Sequence, residues 1–444
     1  MPQSTQTRPS FGRWYILGVI CLMYLITYLD RVNISTAAPE IRKEFGFDAV
    51  TMGWIFSAFG WSYALCQVPG GWLSDRFGAR PVLAAIVTYW SIMTAATAGA
   101  VGAVSFFVLR FLFGVGEAGA FPGATRAMQV WYTREERGFA QGFTHSASRL
   151  GAAIAPPLVV LITTTLGWRS VFYICGAIGF AWAVWWYLDY RNLPEEHRMV
   201  NRAELAHIRG LSATGEINQA VIERGAANVP WGTLLRSPNM WAIMCAYFTY
   251  VYCLYIFLTW LPSYLVEARG FTLLKVGFLA SLPLFAMVIG DTVGGVATDW
   301  LLKKTGNAKL ARRSVAIVGM LGCVVFIVPA ALAEDAYTAV YCLTGAGFFL
   351  ECTIGPSWAV PMDTGGKYAG TVSGMMNMAG NIGGALSPLV FGYLAQYANW
   401  QAPFIVAATL LVIGSVIWAF WLNPDRSVVE RHDAPPVAMP AAAE

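Results

Sequence analysis

Twelve long apolar runs divide this chain, and they constrain its fold more than any other feature. A helix that spans a bilayer needs about 20 predominantly apolar residues, and each run reaches roughly that length. Apolar residues make up 57% of the 444 residues and charged residues only 12%, whereas soluble domains carry about 25% charged residues. We therefore predict an all-α membrane protein with twelve transmembrane helices. The predicted spans, numbered 1 to 12 along the chain, are 14–38, 51–74, 81–103, 105–131, 138–165, 168–189, 240–266, 274–301, 312–333, 336–362, 368–396 and 401–422.

The distribution of basic residues predicts the orientation of the chain. Twenty of the 29 lysines and arginines flank the spans on the side of the two termini, and five lie on the other side. Basic loops stay in the cytoplasm, so we expect both termini to be cytoplasmic. The remaining four fall inside spans: Arg31, Arg110, Arg126 and Arg149.

A polar stretch between spans 6 and 7 separates two groups of six spans. The predicted units are a cytoplasmic N-terminal tail, a six-helix bundle, a cytoplasmic linker, a second six-helix bundle and a disordered cytoplasmic tail: 1–13, 14–189, 190–239, 240–422 and 423–444. In the linker, 203–209 is expected to form a short surface helix. The polar first residues lack the apolar region of a cleavable signal peptide, so span 1 is expected to direct insertion itself.

Several functional classes have little support in the composition. The eight cysteines all lie within apolar runs and form no CxxC pair, so we expect no metal and no cofactor. His145 is the one histidine inside a span, which argues against an intramembrane enzyme. The mild net charge of +4 gives no indication of nucleic-acid binding. A channel would not need two duplicated halves with buried acid–base pairs.

The two groups of spans repeat each other. Gly70–Asp75 after span 2 matches Gly294–Asp299 after span 8, 224 residues later. Two glycines and a proline of span 5 recur in span 11 at an offset of 232: Gly142, Gly151 and Pro156 correspond to Gly374, Gly383 and Pro388. Parallel repeats of this kind predict a transporter that binds substrate between pseudo-symmetric halves. Close helix packing alone would also account for the glycines.

The loop after span 2 resembles the cytoplasmic signature of the major facilitator superfamily. Five residues carry the match: Gly71, Asp75, Arg76, Gly78 and Arg80. The motif recurs in reduced form at Gly295, Asp299 and Lys303. The resemblance implies the twelve-helix major facilitator fold, and a gating role for this motif, including Asp299, on the cytoplasmic side. Arg126 is a candidate partner for Asp75.

Three further segments resemble the anion:cation symporter family, which includes sugar-acid, tartrate and phthalate permeases. They are Tyr28–Arg31 in span 1, Arg110–Ala118 in span 4 and Gly374–Gly384 in span 11. The resemblance implies proton-coupled transport of an organic anion.

Charged residues inside spans 1 and 4 point to function on physical grounds. An ionisable side chain in a membrane costs several kcal/mol unless it is paired or hydrated. Asp30 and Arg31 are neighbours on a helix and so need not pair with each other. Arg110 and Glu117 lie two turns apart on one face of span 4. A buried carboxylate can gain and lose a proton near neutral pH, although a structural network joining spans 1 and 4 would use the same residues.

The family resemblance assigns roles to these positions. It implies that Asp30 and Glu117 carry protons, that Arg31 responds to the negative charge of the substrate, and that Tyr28 and Tyr63 line the cavity. Arg110 is included as a candidate for substrate binding.

In the second half, Pro356 is expected to break or kink span 10 and expose backbone groups to a cavity. The resemblance implies that Ser357 and Trp358 contact the substrate, and that Asn377 of span 11 does so too. Packing alone is the alternative for Trp358.

Span 5 departs from the sugar-acid pattern. Ser148 stands where an amide is expected, with Arg149 beside it and His145 four residues before Arg149. The repeat relates Arg149 to Asn381 and His145 to Asn377. Arg149 predicts a dianionic or aromatic acid substrate, or else it neutralises Glu117 or Glu351. A structural hydrogen bond is the alternative for His145. Asp291 in span 8 is interpreted as a structural or gating partner for arginines.

Together these features predict a proton-coupled symporter that imports a small organic anion, a sugar acid or related carboxylate, across the inner or plasma membrane by alternating access. The expected partners are the anion, protons and the lipid bilayer, with the monomer as the functional unit. Two alternatives stay open, namely uptake of a tartrate- or phthalate-like acid, and proton-independent export or facilitated flux.

Overall fold

The computed structural model of the chain describes residues 8–209, 231–365 and 368–428. Over these ranges the chain is helical, and they contain no β-strand. The predicted all-α membrane fold with twelve spans in two bundles is confirmed. The tail predictions for 1–7 and 429–444, and most of the linker, lie outside the described residues.

The first half consists of six spans, one of them interrupted. Their helices are Gly12–Phe45, Ala49–Phe77, Ala79–Thr97, the pair Ala103–Glu117 and Ala120–Trp131 for span 4, Arg134–Leu166, and Trp168–Asp189.

The second half has the same order with more interruptions. Span 7 is Pro238–Thr259, continued by Leu261–Ser263 and a π-helical turn at Tyr264–Ala268; span 8 is Leu273–Leu279 and Ser281–Thr305; span 9 is Ala308–Leu332; span 10 is Ala336–Cys352 and Ile354–Gly365; span 11 is Ala369–Tyr397; span 12 is Ala402–Val416, ending in a π-helical turn at Ile417–Trp421.

Eleven helices in the described ranges are long and apolar enough to cross a membrane. The helix of span 11, Ala369–Tyr397, has sufficient length but is not among them. Asn377 and Asn381 and several glycines lower its apolar content. A helix that packs against protein on several sides does not need an apolar surface all round.

Spans 4 and 10 are interrupted by the same chemistry. Proline lacks an N–H group and cannot bond to the carbonyl four residues earlier. Pro122 therefore leaves the Ala118 carbonyl without its usual helical partner, where span 4 breaks, and Pro356 does the same for the Cys352 carbonyl, where span 10 breaks. The prediction that Pro356 interrupts span 10 agrees with this break.

Glycines bring each broken span directly onto a neighbour. A Cβ atom added to Gly70 would lie 2.5 Å from the Cα of Gly119, and one added to Gly355 would lie 2.9 Å from the Cα of Gly295. Spans 2 and 4, and spans 8 and 10, thus pack backbone to backbone beside the breaks. This contact fixes the position of the residues that end each first segment.

The two halves meet closely on the side away from the termini. The Ser57 hydroxyl of span 2 donates to the Ala385 carbonyl of span 11 at 2.6 Å, and a Cβ atom on Gly60 would lie 2.7 Å from the Cα of Ala385. Spans 5 and 8 pack in the same way, with Gly277 against Val160. Spans 2, 5, 8 and 11 therefore form the seam between the halves.

Part of the linker docks on the first half. The predicted short helix runs Arg202–Arg209, and its Glu204 is fully buried. The Glu204 carboxylate accepts hydrogen bonds from the backbone N–H groups of Gly12 and Arg13, each at 3.0 Å. A carboxylate at a helix N-terminus stabilises the unpaired N–H groups there. This linker helix therefore anchors the start of span 1.

Candidate functional site

An ion pair between spans 1 and 4 lies at the centre of the first half. The Arg31 guanidinium donates a hydrogen bond to the Glu117 carboxylate. Glu117 is fully buried, and Arg31 is nearly so. Glu117 is the last residue of the first helix of span 4, so the break at Ala118 positions it. Arg31 thus pairs with Glu117 and not with Asp30, which agrees with the prediction that these two neighbours on the helix need not pair.

Asp30 lies beside this pair but is held differently. Its Oδ1 accepts a hydrogen bond of 3.3 Å from Asn33 on the same helix. Its Oδ2 is buried, and the Trp90 and Cys175 side chains face the carboxylate. Arg110 and Glu117 are its main charged neighbours. A buried carboxylate without a direct cation partner can gain and lose a proton, so proton binding at Asp30 stays a prediction.

Aromatic rings surround the Arg31 guanidinium. Its carbon lies 4.7 Å from the centroid of the Tyr28 ring and 4.6 Å from that of Tyr63. The Arg149 guanidinium carbon lies 5.6 Å from the same Tyr28 ring. Ring faces attract cations, so Tyr28 is a shared neighbour of both arginines. The sequence predictions for Tyr28, Tyr63, Arg31 and Arg149 thus converge on one region.

Arg110 belongs to the edge of this region. Its guanidinium carbon lies 4.8 Å from the Phe113 ring centroid and 5.2 Å from that of Phe59. Its Nε is buried without a hydrogen-bond partner among the described residues. Glu117 and Asp30 are its charged neighbours. Arg110 therefore balances the charge of the two carboxylates.

A second ion pair joins the two halves. Arg149 Nη2 of span 5 lies 3.2 Å from Glu351 Oε2 of span 10. The Tyr250 hydroxyl of span 7 donates to Glu351 Oε1 at 3.0 Å and accepts from Arg149 Nη2 at 3.3 Å. The sequence left Glu117 and Glu351 open as neutralising partners for Arg149, and in the structure Arg149 pairs with Glu351.

Aromatic and amide groups continue the region across the seam. The His145 ring lies 5.9 Å from the Trp358 ring of span 10, and the Trp358 indole donates to the Tyr247 hydroxyl at 3.1 Å. Asn377 Nδ2 of span 11 donates to Gln67 Oε1 of span 2 at 3.3 Å. His145, Trp358 and Asn377 therefore all contact the opposite half or face it.

Three other predicted residues bond to helix backbone. The Ser148 hydroxyl donates to the His145 carbonyl at 2.6 Å. The Ser357 hydroxyl donates to the Thr353 carbonyl at 2.7 Å. Asn381 Nδ2 donates to the Asn377 carbonyl at 2.9 Å. Each of these bonds stays within one span, so these side chains do not contact the two arginines through them.

Comparison with known proteins decides the family. The family described as Major Facilitator Superfamily matches residues 20–388 and 374–438. The chain belongs to the major facilitator superfamily. The protein is therefore an integral membrane transporter and not an enzyme.

Curated relatives of this superfamily member are similar over nearly their whole length. A protein of Cupriavidus necator named "Probable sulfoacetate transporter SauU" is 45% identical over 93% of this chain and 94% of that protein. "Probable galactarate/D-glucarate transporter GudP" of Bacillus subtilis is 36% identical over 94% and 93%. The "D-galactonate transporter" of Escherichia coli is 32% identical over 95% and 98%. The predicted resemblance to sugar-acid-type transporters is confirmed.

A solved structure shows the same fold. It is a bacterial homolog of the human lysosomal transporter Spinster, in an inward-facing and unoccupied conformation, with a TM-score of 0.73 and 18% identity over 91% of this chain and 96% of that one. The major facilitator fold therefore follows from the coordinates as well as from the sequence.

The superfamily's signature loop lies apart from this region. Arg80 Nε donates to the Tyr187 carbonyl at 2.9 Å, and Arg76 lies over the ring of Trp72. Gly78 has φ +84, with Asn192 where a Cβ atom would be, and Gly71 packs against Pro122. These contacts stay within the first half.

The repeated motif of the second half also makes contacts within its own half. Arg312 pairs with Asp299 at 3.1 Å and with Asp363 at 3.2 Å. The Asp75 side chain lies outside the described residues, so its contact with Arg126 stays a prediction, as does gating by this motif.

Glu351 was predicted only as one of two neutralising partners for Arg149, and Tyr250 was not predicted. A signal for Glu351 was present: Glu117 precedes Pro122 by five residues, and Glu351 precedes Pro356 by five, at a common offset of 234. The internal repeat of this superfamily member therefore makes the two buried glutamates equivalent. The sequence gives no comparable signal for Tyr250, because its hydrogen bonds to Glu351 and Arg149 depend on how spans 5, 7 and 10 pack together.

Proposed function

We propose that this protein is a proton-coupled symporter that imports a small organic anion. The carrying observation is the buried pair of Arg31 and Glu117, with Asp30 beside it. Arg31 is a cation that an anionic substrate can use, and Glu117 is an internal carboxylate that competes for it. Protonation of Glu117 removes this competition, so proton and anion binding favour each other.

The proposed cycle follows from this competition. Protons bind Asp30 and Glu117 while the site is open to the outside, and the anion binds near Arg31. With these charges neutralised, the halves rock around the site and release both to the cytoplasm. The moving units are the bundles at 14–189 and 240–422, joined by the linker at 190–239. The excess of basic residues beside the termini supports cytoplasmic termini in an inner or plasma membrane, and the monomer contains the whole site.

A substrate with two acidic groups is the favoured class. The guanidinium carbons of Arg31 and Arg149 both lie near one ring, 4.7 Å and 5.6 Å from the centroid of Tyr28. A short molecule with an acidic group at each end can reach both cations. Sulfoacetate and galactarate, named for two relatives, have this form. Galactonate, named for a third, has one acidic group and serves as the comparison.

Reconstituted vesicles test the proposal. We expect labelled sulfoacetate or galactarate to accumulate only with an inward proton gradient. The double variant Asp30→Asn with Glu117→Gln should lose accumulation but still exchange labelled for unlabelled anion. Accumulation that ignores the gradient, or that survives in the double variant, would contradict proton coupling at these residues.

Facilitated flux or export is the second candidate function. It predicts equal anion exchange with and without a proton gradient, and no accumulation in the wild-type protein. Inside-out and right-side-out vesicles compared at the same gradient distinguish import from export.

A further inference from the structure

We propose that Arg149, Glu351 and Tyr250 form a second site, which binds one acidic group of the substrate and one further proton. This inference rests on the proposed function, because it assigns the second charge of a two-acid substrate. The acidic group takes the place of Glu351 at Arg149, and Glu351 then binds a proton.

The contacts of Arg149 leave two of its nitrogen donors unused. Only Nη2 of its guanidinium has hydrogen-bond partners, while Nε and Nη1 are buried and have none among the described residues. A guanidinium presents its donors in a planar fork that suits a carboxylate or sulfonate bound through two oxygens. The single contact with Glu351 does not use that fork. A substrate group that does so competes well for Arg149.

Displacement of Glu351 has a defined consequence for protons. Glu351 is fully buried, and removing the cation from a buried pair is strongly unfavourable if the carboxylate stays charged. A proton from the side to which the site is open binds a Glu351 oxygen and cancels that charge. No covalent bond other than this O–H bond forms, and the proton leaves again when Glu351 regains Arg149 after substrate release.

One other residue among the groups that face Glu351 could bind the proton in its place. Arg149 comes from span 5, Tyr250 from span 7 and Asp291 from span 8, and Cys352 is its neighbour on span 10. Asp291 also faces Arg149 and is the other carboxylate that could bind the proton. A variant at Asp291 is therefore part of the test.

The internal repeat supports the assignment independently of these contacts. Glu117 and Glu351 occupy equivalent positions, each five residues before the proline that breaks its span. Each is buried and paired with an arginine that faces Tyr28. The two halves thus contribute one arginine–glutamate pair each to the same region, and a two-acid substrate matches two such pairs.

The number of protons moved per anion tests this inference. It is obtained from the membrane potential at which net flux is zero, at a fixed proton gradient, in vesicles. For galactarate, we expect Glu351→Gln to move one proton fewer per anion than the wild type, and Asp291→Asn to keep the wild-type ratio. An unchanged ratio in Glu351→Gln, or the loss of a proton in Asp291→Asn instead, would overturn the assignment.

The wild-type protein gives a second measurement that does not depend on how the variants fold. We expect galactarate to move one proton more per anion than galactonate, which has a single acidic group. Equal ratios overturn the inference while leaving proton coupling intact. A ratio of zero for both anions instead overturns the proposed function.

Discussion

The two buried arginine–glutamate pairs look alike but connect different parts of the molecule. Arg31 and Glu117 belong to spans 1 and 4 of the first half, whereas Arg149 and Glu351 belong to opposite halves. Both glutamates are fully buried. The first pair is surrounded by rings, and the second is bridged by a hydroxyl, that of Tyr250.

This difference separates a pair that can persist from one that movement between the halves must affect. Rocking of rigid halves leaves contacts inside one half unchanged and alters contacts across the seam. Movement of the halves alone therefore leaves the Arg31–Glu117 pair intact, and in the proposed cycle it separates only when Glu117 is protonated and the anion binds Arg31. The Arg149–Glu351 pair crosses the seam, so both movement of the halves and a substrate between them can separate it.

Breaking the pair inside the first half should have the largest effect. Arg31→Gln leaves Glu117 buried without its cation, at a cost of roughly 3–5 kcal/mol. It also removes the proposed substrate cation. We expect anion uptake to fall at least about 100-fold, with a lower midpoint of thermal unfolding.

Two controls separate a structural role from substrate binding at Arg31. Arg169→Gln breaks an exposed pair with Glu44, and exposed pairs contribute only about 0–1 kcal/mol, so uptake should change little. Adding Glu117→Gln to Arg31→Gln should restore thermal stability but not the exchange of labelled for unlabelled anion, which the proposal expects Glu117→Gln to leave in place. Restored exchange in that double variant would mean that Arg31 is structural.

Breaking the pair between the halves should have a smaller and selective effect. Arg149→Gln removes a charged hydrogen bond to the substrate, worth about 1.5–3 kcal/mol. We expect the affinity for galactarate to fall roughly 10- to 100-fold, and that for galactonate to change much less. Binding is measured by calorimetry in detergent at one pH.

A charge-preserving variant sharpens this second prediction. Arg149→Lys keeps the positive charge but cannot bind two oxygens in a fork. Its affinity for galactarate should lie between those of the wild type and Arg149→Gln. An equal loss of affinity for galactarate and galactonate in Arg149→Gln would mean that Arg149 has a structural role and does not bind the second acidic group.

Most of the fold was predictable because the membrane demands long apolar helices. The ends of the helices were not predictable, because apolar content indicates which residues lie in the bilayer, and a helix can continue beyond it. Span 1 was predicted at 14–38, yet the helix runs Gly12–Phe45, continuing through Pro39 and the charged Arg42 and Lys43. Span 11 shows the opposite case, because a helix rich in glycine and asparagine still forms where protein surrounds it.

The site was predictable residue by residue but not pair by pair. Asp30, Arg31 and Glu117 were identified because charges inside spans are rare and costly. The choice of Glu351 over Glu117 for Arg149 depends on how the halves pack, which no spacing within one helix encodes. Ser148 and Ser357 lie close to the region in sequence, yet their hydroxyls bond to the preceding helical turn, as such side chains often do.

The smallest expected effect comes from the hydroxyl that bridges the pair between the halves. Tyr250→Phe keeps the ring and removes the hydrogen bonds to Glu351 and Arg149, of which one typically contributes about 1 kcal/mol. If these bonds stabilise the pair that the substrate must displace, galactarate should bind about fivefold more tightly, with little change for galactonate. Tyr341→Phe, at an exposed position of the same span as Glu351, is the matched control in the same binding assay. Weaker galactarate binding in Tyr250→Phe would mean that the hydroxyl donates a hydrogen bond to the acidic group that replaces Glu351, and that it contributes more to the bound state than to the Arg149–Glu351 pair.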